Sequence, residues 1–283
     1  MRIACLVDNG VRAGSGAWGE HGLSLLIDMD DGAVLFDTGQ SGVVLAHNMA
    51  LGRFDRRRIR AVVLSHAHYD HTGGLSAALE CLERDVQLFA HPDIFEPRFS
   101  RRSDEVKPIG VRMSRADVEQ RVHLRLSREP QAILPGVVTT GEIARRPHPE
   151  GRSRSHVVPV DGAWAPDPYR DDLSLVVECP LGVILICGCC HAGLLNTLEH
   201  VEATFRRLVV AIVGGTHLGR ADQATLEQVI AALEARPHLR RIALNHCSGD
   251  VAYAELRARL GSERVIRLPA GSYLDEDLRL RDW

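Results

Sequence analysis

The stretch that most constrains this chain is residues 66–74, which read His-Ala-His-Tyr-Asp-His-Thr-Gly-Gly. An apolar run typical of a buried strand, residues 61–65, precedes it, and a helical pattern begins at Leu75. Three imidazoles and one carboxylate therefore lie on a single strand-to-helix turn. A lone loop histidine is usually a solvated side chain, but with 14 His and 25 Gly in 283 residues the whole pattern would arise by chance with odds on the order of 10⁻⁵. The stretch is therefore interpreted as a metal site.

The spacing of these side chains divides them into two sets. On an extended segment side chains alternate between faces, so His66, His68 and Asp70 can point one way and His71 the other. Such a segment can offer separate ligands to two metal ions. Imidazole and carboxylate ligands suit two divalent cations, with zinc first and manganese or iron as alternatives.

Length, charge and cysteine content restrict the class of protein. A chain of 283 residues fits a single α/β domain, and a formal net charge of -3 gives no reason to expect nucleic acid or an anionic membrane as a partner. No signal peptide is visible, and no stretch approaches the ~18 apolar residues of a membrane span. Seven cysteines without the density of a disulfide scaffold fit a reducing compartment. We therefore expect a cytoplasmic protein with a small-molecule substrate, and the sequence does not indicate its oligomeric state.

Apolar periodicity predicts two runs of strands and helices with an irregular stretch between them. In the first run, an Asp-Gly turn at residues 31–32 joins two short strands, residues 23–28 and 33–36, which is a hairpin signal. The other predicted strands are residues 3–7, 61–65, 86–90, 173–178, 183–187, 208–213, 241–245 and 264–268. The predicted helices are residues 41–52, 75–83, 194–205, 224–235 and 251–260.

Residues 93–172 form the irregular middle. Two segments within it alternate like strands, residues 122–126 and 136–140, whereas residues 147–168 hold several Pro, Gly and Ser residues and are predicted to be loop. A long loop inside a compact domain is usually functional or mobile. We interpret residues 93–172 as an insertion within a single domain spanning residues 1–283, acting as a lid over the substrate. The alternative is a flexible surface loop that does not cover the substrate.

Further histidines follow the later strands. His191, His217 and His246 each lie just past a predicted strand, as residues 66–74 do. Ligands of α/β proteins bind at the carboxyl ends of strands. One buried core histidine is common, but four sets at corresponding strand ends argue for one shared site.

These motifs resemble those of the metallo-β-lactamase superfamily. His66-x-His68-x-Asp70-His71 with Gly73-Gly74 is similar to its signature, and the resemblance implies an αββα sandwich with a binuclear site along one edge. A narrower resemblance is to a subgroup that contains the methanogen enzymes joining a dihydropterin methyl diphosphate to ribofuranosyl-aminobenzene phosphate, together with many metal-dependent hydrolases. The segments that carry it are His21-Gly22-Leu23-Ser24, Phe36-Asp37-Thr38-Gly39-Gln40, Leu64-Ser65-His66-Ala67-His68-Tyr69-Asp70-His71, Thr140-Gly141-Glu142-Ile143 and Gly188-Cys189-Cys190-His191-Ala192-Gly193.

Two positions depart from the superfamily pattern. The midway His of the superfamily falls near Arg170-Asp171-Asp172, where there is no histidine, and its bridging Asp falls on Cys189. His191 is therefore expected to supply the missing imidazole. Cys189 either binds metal as a thiolate or only fills space. Asp172 is a candidate ligand, or a hydrogen-bond partner of one.

The resemblance also implies roles for individual residues. The six expected ligands form two sets, which are His66, His68 and His191 for one metal ion and Asp70, His71 and His246 for the other. His217 ligates, acts on the substrate as an acid or hydrogen-bond donor, or only packs at its strand end. Arg145 and Arg146 are candidates for binding an anionic substrate, with a solvated basic surface as the alternative.

The preferred function is a metal-dependent hydrolase whose binuclear site activates water against an ester or phosphoester of a small anionic substrate. Asp70 could hold or relay the proton, and His217 could assist. The alternative is a pterin-type transferase that joins a dihydropterin methyl diphosphate to an arylamine, as in dihydropteroate synthesis. A redox metalloprotein is disfavoured because di-iron members of the superfamily usually carry Glu where this chain has His68. Nucleic acid is disfavoured by the negative net charge and the short middle.

Overall fold

The hairpin predicted at residues 23–36 is the centre of the first β-sheet. In the computed structural model, which describes residues 1–83 and 85–283, Asp30 and Asp31 form its turn, and Gly32 takes a φ of 145° that favours glycine. Its two strands are antiparallel, and the strands that follow extend the sheet in parallel. Numbered in chain order, the eight strands lie side by side as β19 (Leu280–Asp282), β18 (Ser272–Leu274), β1 (Arg2–Val7), β2 (Ser24–Met29), β3 (Gly32–Phe36), β4 (Ile59–Val63), β5 (Gln87–Ala90) and β8 (His123–Leu126).

The second sheet is mixed, with three parallel and three antiparallel strand pairings. Its seven strands lie side by side as β17 (Val265–Arg267), β16 (Arg241–Leu244), β15 (Val209–Gly214), β14 (Gly182–Cys187), β13 (Ser174–Cys179), β10 (Val137–Thr139) and β9 (Ala132–Leu134). β14 to β17 are parallel, so their carboxyl ends lie at the same edge of the sheet. β13 and β14 form an antiparallel hairpin.

Helices cover the outer face of each sheet. Those on the first sheet are α1 (Val43–Leu51), α3 (Leu75–Cys81) and α4 (Arg115–Glu119), those on the second are α5 (Leu194–Phe205), α6 (Gln223–Glu234) and α7 (Asp250–Leu260), and α2 (Tyr69–Thr72) lies within residues 66–74. Alternation along β14 shows the layering, because Ile184 and Ile186 pack between the sheets whereas Leu185 packs on the helix side. The expected αββα sandwich is confirmed. Within residues 1–83 and 85–283, no helix has the length and apolar character needed to cross a bilayer.

A separate four-stranded sheet occupies part of the irregular middle. Its strands lie side by side as β12 (Ala163–Pro166), β11 (His156–Val160), β6 (Phe99–Arg102) and β7 (Glu105–Pro108). The prediction that residues 147–168 are loop is therefore wrong. The prolines in this segment concealed a hairpin formed by β11 and β12. Pro159 is tolerated in β11 because that strand pairs with β6 only through His156 and Val157, so the missing N–H of Pro159 lies beyond that pairing.

The rest of the irregular middle belongs to the sandwich itself. The strands expected at residues 122–126 and 136–140 are β8 in the first sheet and β10 in the second. The segment that could act as a lid is therefore the four-stranded sheet rather than the whole of residues 93–172. Its action as a lid stays a prediction.

Gly73 and Gly74 are required by close packing rather than by unusual backbone angles. Their φ values of -67° and -82° are open to any residue. A Cβ on Gly74 would overlap the carbonyl oxygen of Thr38, and one on Gly73 would overlap that of Gln40. The turn after β3 is thus pressed against the turn that carries the histidines, and the Thr38 N–H donates to the His71 carbonyl at 2.7 Å.

Replacement of Gly74 by Ala should lower the free energy of unfolding by about 1–3 kcal/mol, because the added methyl group must push a backbone oxygen away. Urea denaturation followed by circular dichroism would measure the change. Ser76→Ala, on the adjacent α3, is the matched control and should change stability by no more than about 0.5 kcal/mol. Equal stability of the two variants would contradict the packing explanation.

Candidate metal centre

The carboxyl ends of several strands from both sheets meet at one edge of the sandwich. The turns that follow these strands carry Asp37 after β3, residues 66–74 after β4, Cys189 and His191 after β14, His217 after β15, and His246 with Cys247 after β16. The ring centroid of His191 is 4.9 Å from that of His66 and 4.4 Å from that of His217. The histidines of separate strand ends therefore share one site.

The first set of expected ligands, His66, His68 and His191, brings ring nitrogens together. His66 Nε2 lies 3.1 Å from His68 Nδ1. His191 Nδ1 donates to the Gly151 carbonyl at 2.7 Å, so its Nε2 is an acceptor. In the described parts of the chain this buried Nε2 has no hydrogen-bond partner. A buried acceptor without a donor is costly, and a coordinated cation would offset that cost.

The second set, Asp70, His71 and His246, brings two ring nitrogens together, with the His71 and His246 rings at an interplanar angle of 77°. The Nε2 atoms of His71 and His246 are 3.1 Å apart, and Asp70 Oδ2 is 3.4 Å from His246 Nε2. The opposite nitrogens are engaged, because His71 Nδ1 donates to Asp37 at 2.7 Å and His246 Nδ1 donates to Asn9 Oδ1 at 3.0 Å. With neutral rings, two lone pairs face each other, which is unfavourable unless a metal ion or a proton lies between them.

The Cys189 thiol lies between the two sets. Its Sγ is 3.2 Å from His71 Nε2, and within 4.8 Å of ligand atoms of His66, His191 and His246. Burial raises the pKa of this thiol, and the neighbouring Cys247 thiol raises it further. A bound divalent cation would reverse this, since thiolate is the form that ligates metal. The sulfur therefore lies close to ring nitrogens of both sets.

Burial sets the protonation of the other candidate ligands. It lowers the pKa of His66, His68 and His191 well below the usual value, and neighbouring histidines lower it further. Neutral imidazole is the form that binds a divalent metal. Burial alone would raise the pKa of Asp70, but the neighbouring histidines His21, His246 and His71 lower it well below the usual value, so Asp70 is a carboxylate. Together these residues could hold a metal ion.

Asp37 orients one ring in each set. Its Oδ2 accepts from His71 Nδ1 and from Ser65 Oγ at 2.7 Å each, and its Oδ1 accepts the Ser65 N–H at 2.7 Å. Ser65 Oγ in turn accepts from His66 Nδ1 at 2.9 Å. Burial would lower the pKa of His71, but the charge and hydrogen bond of Asp37 raise it overall. Such partners fix which ring nitrogen faces a metal.

Asp172 holds the turn that carries His191. Its Oδ2 accepts the Ala192 N–H at 2.7 Å, and burial raises its pKa to about 6. Of the two roles that the sequence left open for Asp172, the structure supports the hydrogen-bonding role. The carboxylate supports a neighbouring backbone group, and the ring of His191 completes the first set.

His217 lies beside the first set and lines the adjoining cavity. Both of its ring nitrogens are buried, and among residues 1–83 and 85–283 neither has a hydrogen-bond partner. Its backbone N–H donates to Cys247 Sγ at 3.2 Å. Packing alone leaves both polar atoms unsatisfied, so the ring could donate a hydrogen bond to a bound group or accept one from it.

Arg145 and Arg146 are not placed to bind a substrate in this cavity. The Arg145 side chain is 81% exposed and pairs with Glu199 at 3.5 Å. Arg146 is drawn inward, where it donates to the carbonyls of Ile143, Pro168 and Tyr169 at 2.6–2.9 Å. Its guanidinium thus donates hydrogen bonds to backbone carbonyl groups of an irregular segment. The expectation that these two arginines bind an anionic substrate is therefore corrected.

Other arginines line the cavity, which has a volume of about 640 Å³ and also reaches Asp70 and Cys189. They are Arg102 at the end of β6, Arg112 before α4 and Arg220 after β15. All three are exposed, and within the described chain none forms an ion pair, whereas Lys107 is neutralised by Glu105 at 2.9 Å. The cavity therefore presents net positive charge beside the expected ligands.

His156 lines the same cavity and was missed by the sequence interpretation. Its Nδ1 lies 2.8 Å from Tyr169 Oη, and burial together with the charges of His217 and Arg220 lowers its pKa to about 4. The residue was assigned to loop because β11 was not recognised. The Asp161-Gly162 turn after β11 is the same signal that predicted the first hairpin, and it could have revealed this strand.

The fold and the clustered ligands define a metal-binding αββα protein. The family model of the metallo-beta-lactamase superfamily matches residues 17–190. The chain belongs to this superfamily, and the resemblance drawn from its motifs is confirmed.

Similarity to individual proteins extends over most of the chain. It is 28% identical to a 7,8-dihydropterin-6-methyl-4-(beta-D-ribofuranosyl)-aminobenzene-5'-phosphate synthase of Methanocaldococcus jannaschii, over 88% of both chains. A solved metal-dependent hydrolase of the beta-lactamase superfamily is 26% identical with a TM-score of 0.82, over 97% of this chain and 98% of that one. Zn(2+)-bound PqqB from Methylobacterium extorquens shares the fold with 16% identity and a TM-score of 0.58, over 97% and 100% of the two chains.

Replacement of Asp37 by Ala should weaken metal binding about 10- to 100-fold, because the His71 and His66 rings lose the group that orients them. Competition with a chromophoric chelator would measure the affinity for zinc or cobalt. Asp28→Ala removes a carboxylate of the same sheet that pairs with Arg2 and Arg58, and is the matched control. Unchanged affinity in a folded Asp37→Ala variant would show that Asp37 does not support the site.

Proposed function

We propose that this protein is a metal-dependent hydrolase with a binuclear centre, acting on an ester or phosphoester of a small anionic substrate. The observation that carries the proposal is the Cys189 thiol between two sets of ring nitrogens. It lies beside a cavity lined by arginines that form no ion pair with the described residues. Superfamily membership supports the metal, and the relative described as a metal-dependent hydrolase supports the reaction class.

The proposed ligands follow the two sets. His66, His68 and His191 would hold one cation, Asp70, His71 and His246 would hold the other, and the Cys189 thiolate would be shared. Bound divalent cations would make a water molecule more acidic and stabilise the negative charge that develops on the substrate. A donor set of imidazole and thiolate favours zinc over manganese, which prefers oxygen ligands.

Asp70 and His217 are the proposed groups for handling protons. Asp70 is a carboxylate held by His21 at 3.1 Å and by His246 at 3.4 Å, so it can accept a hydrogen bond from attacking water and orient it. Its lowered pKa makes it a weak base. The ring of His217, whose nitrogens have no partner in the described chain, is better placed to donate a proton to a leaving group.

Arg102, Arg112 and Arg220 are proposed to select an anionic substrate. A guanidinium can donate two parallel hydrogen bonds to a phosphate or carboxylate, which gives orientation as well as attraction. Arg112 also lies over the Tyr69 ring at 5.9 Å, which limits the conformations of its side chain. Two of these three arginines come from the irregular middle, so that segment would set substrate preference.

Purified protein should contain about two divalent ions per chain, as expected of a two-metal hydrolase. His191→Ala and Cys189→Ser should each lower this content, since each removes a ligand atom, and Cys81→Ser, an exposed cysteine of α3, should not. Inductively coupled plasma mass spectrometry gives the content. A folded protein that binds no metal would overturn the proposal.

Arg220→Gln should raise the KM for a phosphoester about tenfold with little change in kcat, because a charged hydrogen bond to the substrate is lost. Steady-state kinetics on a panel of phosphodiesters, phosphomonoesters and lactones would first identify a substrate. Arg115→Gln, whose arginine pairs with Glu119 at 2.7 Å on α4, is the matched control. A fall in kcat alone would show that Arg220 does not bind the ground-state substrate.

The second candidate is a pterin-type transferase, and the 28% identity to a named synthase over 88% of both chains favours it. In that reaction the arginines would hold a diphosphate group while an arylamine attacks the methylene carbon that carries it. The same cavity charge would serve either reaction.

Incubation with a dihydropterin methyl diphosphate and an aminobenzoate-type amine distinguishes the two candidates. Ester hydrolysis without a coupled product would reject the transferase. A coupled product with released diphosphate, and no hydrolysis of the ester panel, would replace the hydrolase. Liquid chromatography with mass detection would identify the products.

A further inference from the structure

Cys247 lies beside the metal ligands, and the proposed function gives it no role. The Sγ atoms of Cys189 and Cys247 and a ring nitrogen of His217 all lie within 4.8 Å of one another. Both are free thiols that line the cavity, but Cys247 is partly exposed whereas Cys189 is only 3% exposed. We propose that Cys189 and Cys247 form a redox-modification site, in which a hydroperoxide oxidises the pair to a disulfide and so withdraws Cys189 from the metal centre. The withdrawal, but not the disulfide, rests on the proposed function.

The turns that carry the two cysteines leave room for the thiols to meet. Cys189 follows β14, Cys247 follows β16, and Gly215 follows β15, which lies between them. A Cβ on Gly215 would lie 2.7 Å from Cys247 Sγ, so the missing side chain leaves the space that this thiol occupies. Cys247 Sγ also lies 3.8 Å from the Cys189 carbonyl oxygen. A disulfide needs an S–S distance of about 2 Å, which rotation about χ1 and a small shift of either turn would supply.

Exposure decides which sulfur reacts first, because Cys247 is partly exposed whereas Cys189 is buried. Cys247 sulfur attacks one oxygen of hydrogen peroxide; the S–O bond forms, the O–O bond breaks, and the thiol proton leaves with the departing hydroxide as water. Cys189 sulfur then attacks that sulfenic sulfur; the S–S bond forms, the S–O bond breaks, and a second water leaves with the Cys189 proton. Two thiols lose two electrons in total, and one peroxide is reduced to two waters.

The positions of other cysteines make this pairing selective. Cys187 and Cys190 pack in the core between the second sheet and its helices, and Cys5 packs between the sheets. Cys190 is adjacent to Cys189 in the chain but is fully buried on the helix side. The thiol that shares the cavity with Cys189 is that of Cys247.

Metal and oxidant should compete for Cys189. A thiolate that binds two cations is a poorer nucleophile toward sulfur, so the loaded centre should resist oxidation. Once the disulfide has formed, Cys189 is no longer a thiolate that can bind metal, so the centre should lose metal. The cysteine pair would therefore be oxidised mainly in protein that has lost its metal.

The test treats the full chain with one equivalent of hydrogen peroxide, both as purified and after removal of metal by a chelator. The chelator-treated chain should lose the mass of two hydrogen atoms, and tryptic fragments 171–206 and 242–257 should be joined through a disulfide. It should no longer take up zinc until a thiol reductant is added. The metal-loaded chain should be oxidised more slowly.

Three variants locate the bond. Cys190→Ala should still form the disulfide, whereas Cys247→Ser and Cys247→Ala should not, and both should keep their zinc uptake after peroxide. A cross-link that persists without Cys247, or no cross-link in the stripped wild-type chain, would overturn the inference and leave the hydrolase proposal standing. A chain that never binds metal but still forms the bond would overturn the proposed function and the withdrawal of a ligand, leaving only the modification site.

Discussion

The Nε2 atoms of His71 and His246 are held 3.1 Å apart, and much of the site serves to keep them there. Asp37 and Asn9 engage the opposite nitrogen of each ring, so neither ring can turn to offer an N–H to the other without losing a hydrogen bond. The anchors, as much as the ligands, create a place for a cation. A pair of histidines without them would relax into an ordinary hydrogen bond.

The sandwich supplies these anchors from distant parts of the chain because several of its strands end at one edge. Asn9 follows β1 and Asp37 follows β3, whereas the groups they hold follow β16 and β4. The two sheets approach each other closely at Gly188, where a Cβ would overlap Ser65 Oγ and lie 3.2 Å from Asp37 Oδ2. The glycine that precedes Cys189 therefore lets the second sheet's thiol approach histidines carried by the first sheet.

Local sequence signals predicted the parts of this structure that local physics determines. The 66–74 turn, the first hairpin and the amphipathic helices each carry their own pattern over a few residues, and all are present. The position of Cys189 between two sets, and the inward turn of Arg146 toward backbone carbonyls, depend on residues far away in the chain. No spacing rule records such contacts. The position of His156 was only partly predictable, because its hairpin carries a local turn signal that the surrounding prolines concealed.

The site is energetically unfavourable taken by itself, and the rest of the fold must hold it in place. Four residues in its turns, Asp37, Cys190, His217 and His246, take φ values of 49–59°, which cost non-glycine residues of order 1–3 kcal/mol each. The buried His191 and His217 rings add polar atoms without partners in the described chain. Three apolar layers, one between the sheets and one beneath each layer of helices, fix the positions of the strand ends. The turns that follow must therefore adopt these conformations. Because the core rather than the ligands carries the stability, loss of the metal should leave the sandwich folded with its thiols and imidazoles exposed to other chemistry.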